Sequence, residues 1–303
     1  HLREGGALIG LNPITTQLVL WENTSAWAGM GAPKAVLESC RGGYNLLSGV
    51  GIDTAARNPR AVGCKWMAGK GSYCNDIKFV GGHGQITEQQ ENVPTYNPSR
   101  TADYDPDRPW DSQYWSLWIT ENGGGTFKDI WSASPYAEAG IFLSETSTPG
   151  VMYQVSVEHH VRHEILMRNV ENWKFLGIQT EEEVAESSWC QPYELTNCRK
   201  LLFANFYAFR VIWVDNPYPS VVRAWNCQEL EFLNCHNFTQ MKYTMENLYQ
   251  DGNTGEKAGF WQLAKLSIPA VVPDGRLPTE KGLLRKLTGG LDCVDALCED
   301  GKG

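Results

Sequence analysis

Two short segments of this 303-residue chain concentrate groups able to move protons. One is Val157-Glu158-His159-His160, inside a β-branched, apolar stretch at 151–161 that reads as a strand. The other is Gly177-Ile178-Gln179-Thr180-Glu181-Glu182-Glu183. Glu158 and Glu181 stand 23 residues apart. If the chain winds in coils of about that length, the two carboxylates lie side by side on adjacent rungs. Like charges so close cannot both ionise freely, so one pKa rises and a neutral acid becomes available near neutral pH. Such an acid can protonate the leaving oxygen of a glycoside. The same residues also fit a plainer arrangement, in which 181–183 is a solvated acidic turn and the two histidines face opposite sides of a strand.

The elements that must position these groups are announced by a repeat. Asn169-Val170-Glu171-Asn172-Trp173-Lys174-Phe175 aligns with Asn197-Cys198-Arg199-Lys200-Leu201-Leu202-Phe203 and with Asn226-Cys227-Gln228-Glu229-Leu230-Glu231-Phe232. The steps are 28 and 29 residues. Tyr73-Cys74-Asn75-Asp76-Ile77-Lys78-Phe79 is placed in the same register apart from its first residue, and Thr126-Phe127-Lys128-Asp129-Ile130 more loosely. Such a period marks a stacked repeat. The segments are short, rich in β-branched and aromatic residues, and bounded by Gly, Asn or Pro. Helical amphipathic spacing is hinted at only in 281–286. The predicted fold is therefore all-β, a single-stranded right-handed parallel β-helix with long inserted loops. Equivalent positions should stack about 4.8 Å apart. Asn side chains repeating before a strand should ladder along the coils, and Cys198 and Cys227 should share one inward column.

Composition narrows the partners. Apolar residues make up 42% and charged residues 20%, a globular balance. A net charge of -9 argues against nucleic acid, which needs a basic face. No apolar run reaches the length of a membrane span, so no membrane insertion is expected. The nine cysteines have no zinc spacing, the acidic residues have no calcium-loop spacing, and no metal or cofactor is expected. The cysteine content and the sequons at Asn23 and Asn237 point to an extracellular or periplasmic protein. Twelve tryptophans suit either a core or a sugar-stacking face. The polar, proline-rich segment 87–115 reads as a long loop. With Tyr104, Trp110, Tyr114, Trp115 and Trp118, it or its exit is the expected aromatic platform.

Taken together, Ser156-Val157-Glu158-His159-His160, Asn172 and Gly177-Ile178-Gln179-Thr180-Glu181 resemble the second β-helix of the glycoside hydrolase family 55 exo-β-1,3-glucanases. That family carries a Glu-His-His strand followed at similar spacing by Gln-Thr-Glu. The resemblance implies an inverting glycoside hydrolase, with Glu181 as general acid and Glu158 as the carboxylate beside it. His159, His160 and Gln179 would bond substrate hydroxyls, and Trp115 or Trp118 would stack on sugar rings. Glu182-Glu183-Val184 stands where the family has Thr-Pro-Tyr, so its substrate-facing tyrosine is missing. The family's separate N-terminal β-helix, which helps position the attacking water, has no room here beside a full second one. Gly49-Val50-Gly51-Ile52-Asp53-Thr54 and Gly81-Gly82-His83-Gly84 look closer to pectate-lyase-like β-helix proteins.

Residues 1–270 are expected to form the β-helix and 271–303 an extension, loosely similar to the opening of a lactonase-type propeller, in a longer multidomain protein. Partners are then a polysaccharide or oligosaccharide and the other domains. Two further functions stay open: a non-catalytic carbohydrate-binding or adhesion module, and a polysaccharide lyase using a base such as Arg162 or Arg168.

Overall fold

A computed structural model describes residues 1–81, 113–183, 187–212, 216–240 and 245–270. Most of the 87–115 loop, Gly82-His83-Gly84 and the 271–303 extension lie outside the described residues. Every regular element among those described is a strand. The chain opens with β1 (Ala7–Ile9), β2 (Gln17–Val19) and β3 (Lys34–Glu38). Next come β4 (Leu46–Asp53), β5 (Ala61–Trp66), β6 (Tyr73–Phe79), β7 (Gln113–Ile119) and β8 (Gly125–Ser132). β9 (Ala137–Thr146) and β10 (Gly150–Glu158) lead into the long β11 (His163–Glu183), which runs around a corner of the coil. The remaining coils hold β12 (Gln191–Thr196), β13 (Arg199–Ala204), β14 (Tyr207–Val211), β15 (Ser220–Trp225) and β16 (Gln228–Thr239). β17 (Asn247–Asp251), β18 (Lys257–Ala258) and β19 (Gln262–Ile268) finish the described chain.

The pairing is that of a parallel β-solenoid. One sheet stacks β4, β6, β8, β10, the C-terminal half of β11, β13 with β14, and β16. The other stacks β3, β5, β7, β9, the N-terminal half of β11, β12, β15 and β17. The first sheet sends Leu47, Cys74, Phe127, Met152, Phe175, Phe203 and Phe232 inward as one column. Phe175, Phe203 and Phe232 stack 4.9 Å apart with ring planes 12° and 7° from parallel. All three are fully buried, and burying each ring contributes on the order of 2 kcal/mol. Cys64, Leu117, Ile141, Ile165, Tyr193, Val222 and Tyr249 answer from the second sheet.

What bends the ribbon is a recurring left-handed residue. Gly49, Asp76, Asp129, Gln154, Gly177, Asn205 and Asn234 occupy one position on successive coils, and all have φ between 48° and 68°. A second such column holds Glu145, Asn169, Asn197 and Asn226. Asn, Asp and Gly adopt this conformation at the least cost, which is why they recur there. The expected asparagine ladder forms: Asn197 Nδ2 donates to Asn169 Oδ1 at 3.0 Å. Asn234 donates to Asn205 in the same way at 2.7 Å, a ladder the repeat did not announce.

The 28- and 29-residue steps hold, since Trp173, Leu201 and Leu230 stack on one another. The register of the two earlier segments is corrected. They stack on each other, Cys74 on Phe127, but that column runs to Phe175 instead of Val170, five residues further along the coil. Two buried apolar residues three apart occur twice within β11, at Val170 and Trp173 and again at Phe175 and Ile178. Only the stacking distinguishes the two.

Parallel stacking stops at β19, which pairs antiparallel with β16 and buries Leu263 and Leu266. β18 turns back on β17 likewise.

Candidate active site

Glu158 and Glu181 stand directly opposite each other at the ends of β10 and β11. Their position follows from plain alternation. Val157 and Thr180 point into the core and Glu182 does too, so the two glutamates point out, each half-buried. The carboxyls hydrogen-bond to one another, and Glu181 is pushed up to about 7, first by burial and then by the hydrogen bond and charge of Glu158. Nearby His159 pulls in the opposite direction. The neutral form of Glu181 is therefore favoured well above the usual carboxylate range. Gln179 Nε2 donates to Glu181 Oε2 at 3.1 Å, and Ser156 Oγ donates to Gln179 Oε1 at 2.7 Å. Trp131 Nε1 donates to Glu158.

His159, held at φ 69°, donates its backbone N–H to the Glu181 carbonyl at 3.2 Å and is largely buried. His160 is fully buried beneath the pair. Its Nδ1 lies 2.5 Å from Glu164 Oε2 and its Nε2 3.0 Å from Ser132 Oγ. The Cys190 thiol adds a contact to Glu164 at 3.6 Å. Burial holds Glu164 well above the usual carboxylate range. Room for His160 comes from Gly140, where a Cβ would fall 2.5 Å from His160 Cε1 and 2.3 Å from Val157.

Beside this network lies a second buried pair. Glu182 and Arg210 face each other across adjacent rungs, both almost wholly inaccessible. Arg210 Nη2 donates to Glu182 Oε1 at 3.1 Å and to the Tyr218 carbonyl at 3.0 Å. Burial raises Glu182 to about 6, against the pull of Arg210. The outward acid pair thus rests on an inward layer of matched polar groups.

Glu158, Glu181, Gln179 and His159 converge, with His160 below them. Trp115 and Trp118 do not join them. Both lie on β7 in the other sheet, packed on Phe142 at 4.4 and 6.4 Å between ring centres. Trp118 Nε1 donates to Ser144 Oγ at 2.9 Å, and Lys65 Nζ sits 4.6 Å from the centre of its ring. Arg168 reaches over Phe142 on that same side.

The aromatic neighbours of the acid pair are residues the motif reading passed over. Phe209 is the rung partner of Glu181, and Phe238 that of Phe209. Their rings lie 5.6 Å apart, and Tyr207 lies 6.4 Å from Phe209. Tyr207 and Phe238 are 42% and 48% exposed, forming an apolar patch that touches the acid site. A signal for them was present. Adding the repeat steps of 28 and 29 to Glu181 lands on Phe209 and then Phe238.

A separate open groove of about 460 Å³ runs past Glu121, Glu145 and Glu171 at a corner of the coil. Glu121 is paired there with Arg41 and Lys65, and Glu171 with Arg199 and Lys200. Among the described residues no group of three or more His, Cys, Asp or Glu could hold a metal ion, and no helix is long and apolar enough to cross a membrane. No protein-family model matches the chain, and no curated protein matches it; the fold and the acid pair therefore carry the functional reading.

Proposed function

We propose that the chain is a carbohydrate-active β-helix protein whose Glu158–Glu181 pair is the acid centre of a glycoside hydrolase acting on a β-glucan or related polysaccharide. The observation that carries this reading is the outward-facing carboxyl pair on one rung of β10 and β11, where burial and then the neighbouring Glu158 push Glu181 up to about 7. An acid so tuned can protonate a glycosidic oxygen where an ordinary glutamate would be ionised. Glu158 raises the Glu181 pKa. It stands too close to admit a water between the two carboxyls, so it is not the base of an inverting pair, which needs roughly 6.5–9.5 Å of separation. Gln179 and Ser156 supply hydroxyl-binding groups beside it, and Tyr207, Phe209 and Phe238 an apolar surface for the C–H faces of sugar rings. The family 55 resemblance supports the same two glutamates in the same two roles.

Reducing-sugar release from laminarin, with a panel of other polysaccharides alongside, tests the reading. Wild-type protein should release sugar and Glu181→Gln should lose activity by about 10²-fold or more. Binding without release would favour a carbohydrate-binding module, the reading suggested by a site that holds an acid without a spaced second carboxylate. Unsaturated, ultraviolet-absorbing products would favour a lyase.

A further inference from the structure

Cys198 and Cys227 occupy the same position on adjacent coils, one residue before the rung that joins Arg199 to Gln228. Coils stack at about 4.8 Å, inside the range of roughly 4.4–6.8 Å over which two Cα atoms accept a disulfide. Each thiol donates to the backbone carbonyl two residues before it, Cys198 to Thr196 at 3.3 Å and Cys227 to Trp225 at 3.2 Å, so the two hold matching positions on adjacent coils. The Cys198 backbone N–H also donates to Cys227 Sγ at 3.3 Å. Asn197 and Asn226, which precede the two cysteines, share the same left-handed conformation at φ 54° and 52°. Cys198 is buried, whereas Cys227 is partly open to solvent; the other five described cysteines are all buried.

We propose that Cys198 and Cys227 are a dithiol modification site that closes to a disulfide by exchange with a low-molecular-weight disulfide. Cys227 is the attacking sulfur because it is reachable and because the Cys198 backbone N–H aimed at its sulfur favours the thiolate. The direction of its titration agrees, since the Cys198 hydrogen bond lowers the Cys227 pKa and raises that of Cys198. The Cys227 thiolate attacks one sulfur of the reagent, the reagent S–S bond breaks, and one thiolate leaves. Cys198 then gives up its proton to that thiolate or to water and attacks Cys227 Sγ. The second reagent thiol departs. Two protein thiols are oxidised and one reagent disulfide is reduced to two thiols. The new bond ties one coil to the next, which restricts the unfolded chain and raises stability.

The test is incubation of the folded, full-length chain with glutathione disulfide, followed by peptide mapping without reduction. Wild-type protein should lose two hydrogens in a linked 198–227 peptide pair, resolved in the map from any reaction of Cys293 and Cys298, and its thermal midpoint should rise and return with dithiothreitol. Cys198→Ser should stop at the intermediate, leaving a stable glutathione adduct on Cys227; Cys227→Ser should leave Cys198 unmodified. Absence of the 198–227 link in the wild-type map, under conditions where exposed thiols react, overturns the proposal. That reading needs no variant to fold. A glutathione adduct on wild-type Cys227 that never resolves overturns it equally.

Discussion

At the scale of single residues, the site turns on where protons sit. Glu181 is raised by burial and by Glu158, so removing the neighbouring charge should lower it. In Glu158→Gln the Glu181 carboxyl should therefore titrate at lower pH than in wild type, and any hydrolytic activity should fall off earlier as pH rises. Carbon-13 NMR of the labelled glutamate carboxyls reads this whether or not the protein is active. An unchanged Glu181 titration would show that the two carboxyls do not interact. Arg210 makes a different case, because its partner Glu182 is wholly buried. Arg210→Leu strands that carboxylate and should cost about 3–5 kcal/mol, while Arg210→Leu with Glu182→Leu should recover most of the loss. Denaturant unfolding of the single and double variants separates the two outcomes. The sequon at Asn237 is also resolved at this scale. Its side chain is buried and donates to the Phe260 carbonyl at 3.3 Å, whereas Asn23 is exposed.

At the scale of elements, the corners decide what the strands present. Asn205 sits at φ 55° and accepts from Asn234. Asn205→Val should cost about 1–3 kcal/mol through forced left-handed geometry. Asn205→Gly keeps the backbone and should lose about 1 kcal/mol or less. Equal losses in the two variants would assign the effect to the ladder and not to the backbone. Gly140 is the corresponding test beneath the acid pair. An alanine there meets Val157 and His160, so Gly140→Ala should destabilise by about 1–3 kcal/mol and displace His160 from Ser132, visible as a changed imidazole NMR shift. How much of these elements was legible beforehand follows from the same corners. The 28- and 29-residue steps exposed the coils, because inward aromatics repeat at Phe175, Phe203 and Phe232 on three successive turns. The left-handed residues break strict alternation, so the inward set within one coil does not follow from period alone, and the N-terminal segments were misaligned by five residues.

At the scale of the whole molecule, each coil rests only on its neighbours, so stability accumulates along the stack and its ends matter. Among the described residues β19 ends the parallel stacking by lying antiparallel across β16, with Leu266 almost fully buried. Leu266→Ala should cost about 2–5 kcal/mol, as a core truncation does, although it lies on the last described strand. A loss below about 1 kcal/mol in denaturant unfolding would show that β19 is not part of the cooperative unit. The buried carboxyls also give the molecule a pH profile. Asp53 and Glu182 are each raised to about 6 by burial, and Glu164 is raised as well. A carboxyl raised in the fold binds more protons there than in the unfolded chain. Its contribution is complete below about pH 4 and is lost as pH rises through its folded value. The thermal midpoint should accordingly be higher at pH 5 than at pH 7.5; a profile that rises over that interval would mean these groups are ionised in the folded protein.

The amino-acid sequence by itself determined the solenoid, its coil length in the C-terminal half and the asparagine ladder, and it left the rung shared by Glu158 and Glu181 as one of two arrangements. The first three depend on which residues lie one coil apart, and the 28- and 29-residue period contains that information; the 23-residue step that pairs the glutamates is shorter than this period and was settled by the stacking of β10 on β11. Tertiary structure alone decided the rest. It turned His160 inward onto Glu164, sent Trp115 and Trp118 to the opposite sheet, and put Phe209 and Phe238 beside the acid. The reason is physical: position along the axis follows from counting residues, but the face a side chain occupies follows from where the backbone turns left-handed, and those corners are set by the packing of coil on coil.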